Sequence, residues 1–170
     1  MSIEIECVKG DIADQKDIMA VVNAANAQLK SGGGVAGAIH KGAGSELEKA
    51  CRSMAPIETG EAVITYAYDL PNEYIIHCLG PIYGVDKPSD ELLKRCYENA
   101  LKLADDHDVD SIAFPAISIG EFRFPMEKAT EIAIKTVKGL LPQLKNIEKI
   151  RFVVYSDEVL RVYNSYLKEI

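Results

Sequence analysis

Apolar and polar residues alternate along this chain with two different periods. Near the start, Ile3, Ile5 and Cys7 alternate with glutamates, the period-two pattern of a half-exposed strand. Gly10-Asp11-Ile12 breaks that pattern. The run Met19-Ala20-Val21-Val22 is continuously apolar, and Ala20 to Asn23 reads as a buried strand. Val35 to Ala43 and Glu46 to Met54 have helical spacing, with Gly44 between them. Ala62 to Tyr66 and Tyr74 to Cys78 are rich in β-branched and aromatic residues and read as strands joined by the turn at Asp69-Leu70-Pro71-Asn72.

Period 3.6 dominates the second half. Leu92, Leu93, Cys96, Tyr97, Ala100, Leu101 and Ala104 form one helical face, with Ser89 or Asp90 as its cap. Ser111 to Phe114 is a short buried strand closed by Pro115. Pro125 can open a helix carrying Ala129, Ile132, Ala133, Thr136, Val137 and Leu140. Ile150 to Tyr155 is a further strand, and Ser156 caps a last helix with Val159, Val162, Tyr163 and Leu167. Strands alternating with long helices predict an α/β fold with a mainly parallel sheet covered on both faces. In such sheets ligands bind at the carboxyl ends of strands, where the loops after Val22, Phe114 and Tyr155 lie.

Two of those loops carry candidate chemistry. After the second strand the chain runs Asn23-Ala24-Ala25-Asn26, then Ser31-Gly32-Gly33-Gly34-Val35, where a helix begins. Glycines let backbone N–H groups approach an anion, and the helix N-terminus adds positive partial charge. Asparagine supplies an uncharged donor and acceptor, which suits sugar hydroxyls. A phosphorylated, sugar-containing ligand fits this stretch. A Walker A loop does not, because Val35 stands where lysine is needed. Gly32, Gly34 and Gly37 spell G-x-G-x-x-G but lie about nine residues past the strand, with no acidic residue closing a second strand, so a dinucleotide fold is disfavoured. The bland alternative is a surface turn without a ligand. The loop from Pro115 to Pro125 again combines a hydroxyl, Ser118, with Gly120 and a following helix. Two such loops could clamp a diphosphate between them.

Composition narrows the partners. The chain has 170 residues, 48% hydrophobic and 26% charged, as expected of one globular domain spanning 1–170. A net charge of −7 argues against a general nucleic-acid or anionic-membrane surface, yet allows one anion held by a loop of N–H groups. Cys7, Cys51, Cys78 and Cys96 have no C-x-x-C spacing and read as buried free thiols, with no metal expected. No secretory signal and no apolar run of 18 residues is present, so a soluble, cytoplasmic chain with no membrane partner is expected.

Taken together, Gly10-Asp11-Ile12, Val22 to Asn26, Gly32 to Val35, Thr59-Gly60-Glu61-Ala62, Ile76 to Pro81, and Pro115 to Ser118 with Gly120 and Phe122 resemble the macro domain, an ADP-ribose-binding module. The resemblance runs from about Ile3 to Tyr166 and implies a three-layer α/β/α fold with a mixed, largely parallel central sheet. It implies that Asp11 accepts a hydrogen bond from the adenine amine beside the Ile12 backbone, and that Tyr155 flanks the adenine. It implies that Asn26 bonds the distal ribose while Asn23 holds the loop. Gly33, Gly34 and Val35 would form one wall of the diphosphate site; Ser118, Ile119, Gly120, Glu121 and Phe122 would form the other. Phe122 would also orient the distal ribose, which makes Asn26 and Phe122 the candidate catalytic pair, with no cofactor needed. His40 and His77 read as structural.

The chain departs from the family's patterns at three positions. Hydrolases of the MacroD-like class carry an aspartate directly after Gly-Gly-Gly-Val, where this chain has Ala36. Glu121 replaces a usual apolar residue, and Arg123 a common glycine. Glu121 beside a diphosphate should repel it unless Arg123 or water compensates. The resemblance therefore implies ADP-ribose or an ADP-ribosylated protein as partner. The expected activity is hydrolysis of ADP-ribose from mono-ADP-ribosylated proteins, or deacetylation of O-acetyl-ADP-ribose. The alternative is a reader that binds without catalysis, which Ala36 and Glu121 favour. Binding of adenine-rich RNA is disfavoured by the charge.

Overall fold

The computed structural model describes residues 2–169. Its elements run β1 Glu4–Lys9, β2 Ala20–Ala24, α1 Gly34–Ala43, α2 Ser45–Arg52, β3 Ala62–Tyr66, β4 Tyr74–Cys78, α3 Ser89–Asp106, β5 Ser111–Pro115, α4 Met126–Leu140, β6 Lys149–Val154 and α5 Asp157–Glu169. The strands form one six-stranded sheet in the order β1-β6-β5-β2-β4-β3. Every neighbouring pair is parallel except β3 with β4, which are antiparallel. The short turn at Asp69 to Asn72 leaves β3 and β4 no other choice, whereas the remaining strands are joined by helical crossovers or longer connections.

Side-chain alternation divides the interior into two layers. Val22 of β2, Ile76 of β4, Phe114 of β5 and Phe152 of β6 face a core shared with Leu93, Tyr97, Ala133 and Tyr163 of α3, α4 and α5. Their immediate neighbours Val21, Ile75, Ala113 and Val153 face the opposite core with Ile39 and Leu47 of α1 and α2. This is the expected three-layer α/β/α arrangement with a mixed, largely parallel sheet. Strands buried on both faces read as unbroken apolar runs, which explains why β2 and β5 show little alternation in the sequence.

Three local expectations need correction. Neither Ser89 nor Asp90 caps α3; Pro88 occupies that position without a side-chain hydrogen bond. The Ser89 hydroxyl instead donates to the Asp86 carbonyl and accepts the Gly84 N–H at 3.2 Å, so it serves the preceding loop. All four cysteines are free, but Cys7 is only half-buried, because β1 is an edge strand. The second helix ends at Arg52, not Met54, where the chain turns towards Pro56. Ser156 does cap α5, accepting the Val159 N–H at 3.2 Å.

Candidate functional site

Because β1, β6, β5 and β2 are adjacent and parallel, their carboxyl ends stand in a row. At roughly 4.8 Å per strand, four strands span about 15 Å, the scale of a nucleotide with an attached sugar. A cleft of about 370 Å³ lies along the β6, β5 and β2 part of this row. Gly33, Gly34 and Val35 line one side, Ser118 to Phe122 the other, and Tyr155 joins them with Val153 and Val154. Ala24, Ala116, Ser156 and Val159 also line it, small or apolar residues with no distinctive sequence signal.

The first wall is positioned by Asn26 and Gly37. The Asn26 side chain donates from Nδ2 to the Lys30 carbonyl at 2.8 Å and accepts the Lys30 N–H at 3.0 Å. The resemblance assigns Asn26 to the distal ribose; the structure shows it fixing the loop. One Nδ2 hydrogen remains for a ligand, since a primary amide carries two. Farther on, Gly34 takes a φ of +56° at the start of α1. A Cβ on Gly37 would lie 2.3 Å from the Gly32 carbonyl oxygen, so only glycine lets the loop lie this close to the helix.

The second wall is a tight turn after β5. Ser118 has a φ of +66°, is buried, and its Oγ has no hydrogen-bond partner among the described residues. Its carbonyl accepts the Phe124 N–H at 3.0 Å, and the Gly120 carbonyl accepts the Arg123 N–H at 2.9 Å. Gly80 makes room behind it, because a Cβ there would meet the Ser118 Oγ at 2.3 Å. Glu121 is exposed and reaches across the cleft: its Oε1 lies 3.8 Å from where a Cβ of Gly33 would stand. Among the described residues no ion pair joins Glu121 to Arg123, so the expected internal compensation is not made. Arg123 itself has a φ of +60°, which explains why glycine would be at ease there.

Asp11 and Ile12 stand at the β1 end of the row, beside Tyr155 and not in the cleft lining. Asp11 Oδ1 accepts the Ala13 N–H at 2.9 Å, which folds the turn and leaves the second carboxylate oxygen available. Burial raises the Tyr155 phenol pKa; the Asp11 charge adds to this, while a hydrogen bond with the Ile12 backbone opposes it. Behind this loop sits a feature the sequence reading missed. Arg151 donates from Nε to Glu6 at 2.6 Å, from Nη1 to Gln15 Oε1 at 2.9 Å, and from Nη2 to Asp17 at 2.7 Å. Gln15 in turn donates from Nε2 to the Asp11 carbonyl at 2.8 Å. Arg151 thus props the Asp11 turn. The clue was a basic residue inside a strand, but its partner Glu6 is identified only by the β1–β6 register.

Asn23 is structural but does not hold the loop. It is buried and bonds His77 Nδ1 at 3.0 Å, while Thr65 Oγ1 bonds His77 Nε2 at 3.0 Å. Burial, with His40 adding to it, pushes the His77 pKa down to about 3, so the ring is neutral and joins β2, β4 and β3. Ala36 is buried in the first turns of α1. The described residues contain no group of three or more His, Cys, Asp or Glu placed to hold a metal, and no helix long and apolar enough to cross a membrane.

Comparison with known proteins is consistent with this geometry. The family model for the Macro domain matches residues 22–133. A Macro domain-containing protein of Chlorobaculum tepidum, CT2219, is 46% identical over 167 residues, covering 98% of this chain and 96% of that protein. A protein of Escherichia fergusonii named O-acetyl-ADP-ribose deacetylase is 44% identical over 174 residues, covering 99% and 98%. The crystal structure of a Trypanosoma brucei macrodomain in complex with ADP-ribose superposes with a TM-score of 0.90 at 32% identity, covering 96% of this chain and 69% of that one. The chain belongs to the Macro domain family.

Proposed function

We propose that this chain binds ADP-ribose along the row of strand ends and hydrolyses an ester at the distal ribose. The substrate is a mono-ADP-ribosylated protein or O-acetyl-ADP-ribose. The observation that carries the reading is the convergence of the β6, β5 and β2 loops on one cleft, with the Asp11 turn beside Tyr155 at its β1 end and a buried Ser118 hydroxyl that has no partner among the described residues. On this reading the ligand runs along the order of the loops. Adenine lies between Asp11 and Tyr155, the diphosphate between the two glycine walls at the α1 N-terminus, and the distal ribose by Asn26 and Phe122. The deacetylase name of a close relative and the ADP-ribose complex of a structural neighbour support the same ligand.

Catalysis on this reading is positioning and fixed dipoles rather than a protein base. The diphosphate holds a water, Phe122 and Asn26 orient the ribose, and the backbone N–H groups of the loops stabilise developing charge. The water oxygen bonds the acyl carbon, the acyl–ribose C–O bond breaks, and the proton ends on the ribose hydroxyl. Incubation with mono-ADP-ribosylated protein and with O-acetyl-ADP-ribose, following released ADP-ribose, tests this. Binding without release of product would make the chain a reader, the outcome that Ala36 favours.

Glu121 faces the proposed diphosphate, and among the described residues no ion pair offsets its charge. Its charge should weaken binding, so Glu121→Gln should tighten ADP-ribose affinity by about 0.5–1 kcal/mol, or about two- to fivefold, at low salt. Turnover should not fall. Calorimetry together with product release measures both, and a roughly hundredfold loss of turnover at constant affinity would make Glu121 the base instead.

A further inference from the structure

We propose that the loop from Gly80 to Pro88 is the docking surface for the polypeptide that carries the ADP-ribose. The inference rests on the ADP-ribose reading of the cleft. Strand β4 follows β2 in the sheet order and is parallel to it, so the loop after β4 lies next along the row, at the end away from β1 and Asp11. The Tyr83 N–H donates to the Phe122 carbonyl at 2.9 Å, which joins this loop to the wall beside the distal ribose. Whatever is covalently attached to that ribose must leave the cleft here.

The loop displays apolar side chains and holds them there. Val85 is 70% exposed, and Ile82 and Tyr83 are each 37% exposed. Ile82 donates its N–H to Asp86 Oδ2 at 2.8 Å, and its carbonyl accepts the Val85 and Asp86 N–H groups at 3.0 Å. The Tyr83 ring packs on Phe124 with centroids 4.8 Å apart and carries the Lys128 ammonium 5.5 Å from its centre. A lone exposed valine would be ordinary; three apolar side chains grouped on one fixed loop at the rim of a cleft offer a surface that a bound chain can cover. An acetyl group on the ribose is too small to cover these residues, whereas a polypeptide tethered at that point crosses them. The other exposed apolar cluster, Met54, Tyr66 and Tyr68, includes the carboxyl end of antiparallel β3 and so lies at the opposite end of the sheet, away from any attachment point.

Calorimetry with two probes tests the assignment: free ADP-ribose, and a peptide carrying ADP-ribose through a hydrolysis-resistant linkage. Wild type should bind the ADP-ribosyl peptide at least about fivefold tighter than free ADP-ribose, in keeping with one or two apolar rim contacts. Val85→Ser, at a position too exposed to affect folding, should bring that ratio close to one and leave the affinity for free ADP-ribose unchanged. Ile82→Ser provides a second, independent variant with the same expectation. Equal affinities for the two probes in wild type, or a Val85→Ser variant that loses both alike, would overturn the proposal. A wild type that binds neither probe would overturn the cleft reading itself and the docking surface with it.

Discussion

Replacing Gly37 by alanine is expected to lower ADP-ribose affinity at least about tenfold while the protein stays folded. The new Cβ would stand 2.3 Å from the Gly32 carbonyl oxygen, and both partners are backbone. No rotamer relieves the contact. The Gly32–Gly34 segment must move off the first turn of α1 by about 1 Å, and displacements of that size at a positioned site cost one to two orders of magnitude. The fold should lose only about 1–3 kcal/mol, the usual cost of overpacking. Gly139→Ala is the control. It lies within α4, has nothing within 4 Å of the new Cβ, and should leave binding unchanged and stability equal or slightly higher. Calorimetry and urea unfolding separate the two effects. Wild-type binding by Gly37→Ala would mean that the first wall moves freely and is not a preorganised anion site.

A pH-dependent loss of stability is expected at Arg151. Its side chain is 11% exposed and hydrogen-bonds Glu6, Gln15 and Asp17. Arg151→Met keeps the apolar stem, removes the donor to Gln15 Oε1, and leaves Glu6 and Asp17 only the longer ion pairs to Lys149 at 3.5 and 3.7 Å. The cost should be about 2 kcal/mol at pH 7, below the range for a fully buried pair because Asp17 is 60% exposed. Hydrogen bonds from Arg151 are the first cause that lowers the pKa of both Glu6 and Asp17 in the folded state. The sign follows from linkage. Carboxyls with depressed folded pKa values stabilise above their unfolded values near 4 and lose that contribution as pH falls. The gap between wild type and Arg151→Met should therefore be full at pH 6–7 and shrink between pH 4 and 2. Urea unfolding at both ends of that range measures it. A gap that stays constant would show that Arg151 acts through packing alone. Because Gln15 links Arg151 to the Asp11 carbonyl, the same variant should also weaken adenine recognition.

Much of the architecture was legible because the physics is local. The apolar runs at Ala20, Ser111 and Ile150 are β2, β5 and β6, and the helical faces at Leu92 and Ala129 are α3 and α4. The glycine loops also stand where strand-end reasoning put them, on the two sides of one cleft. What could not be read depends on register and close approach. Nothing in the string Lys149 to Val154 says that Arg151 meets Glu6 across β1 and β6. The need for glycine at positions 37 and 80 comes from atoms distant along the backbone path or in sequence, the Gly32 carbonyl and the Ser118 hydroxyl. Positive φ at Leu29, Ser118 and Arg123 falls on residues whose types do not announce it. The resemblance assigns Asn26 to the site, but its bonds to Lys30 appear only in the folded loop.

Titration of the protein with ADP-ribose, alongside ribose 5-phosphate, tests the central claim most directly. A site that reads adenine at Asp11 and Tyr155 and clamps the diphosphate between two glycine walls should bind ADP-ribose in the micromolar range, about −8 kcal/mol. Ribose 5-phosphate, which lacks both features, should bind at least about a hundredfold more weakly. No heat and no thermal shift with millimolar ADP-ribose, or equal affinity for the two ligands, would contradict the account.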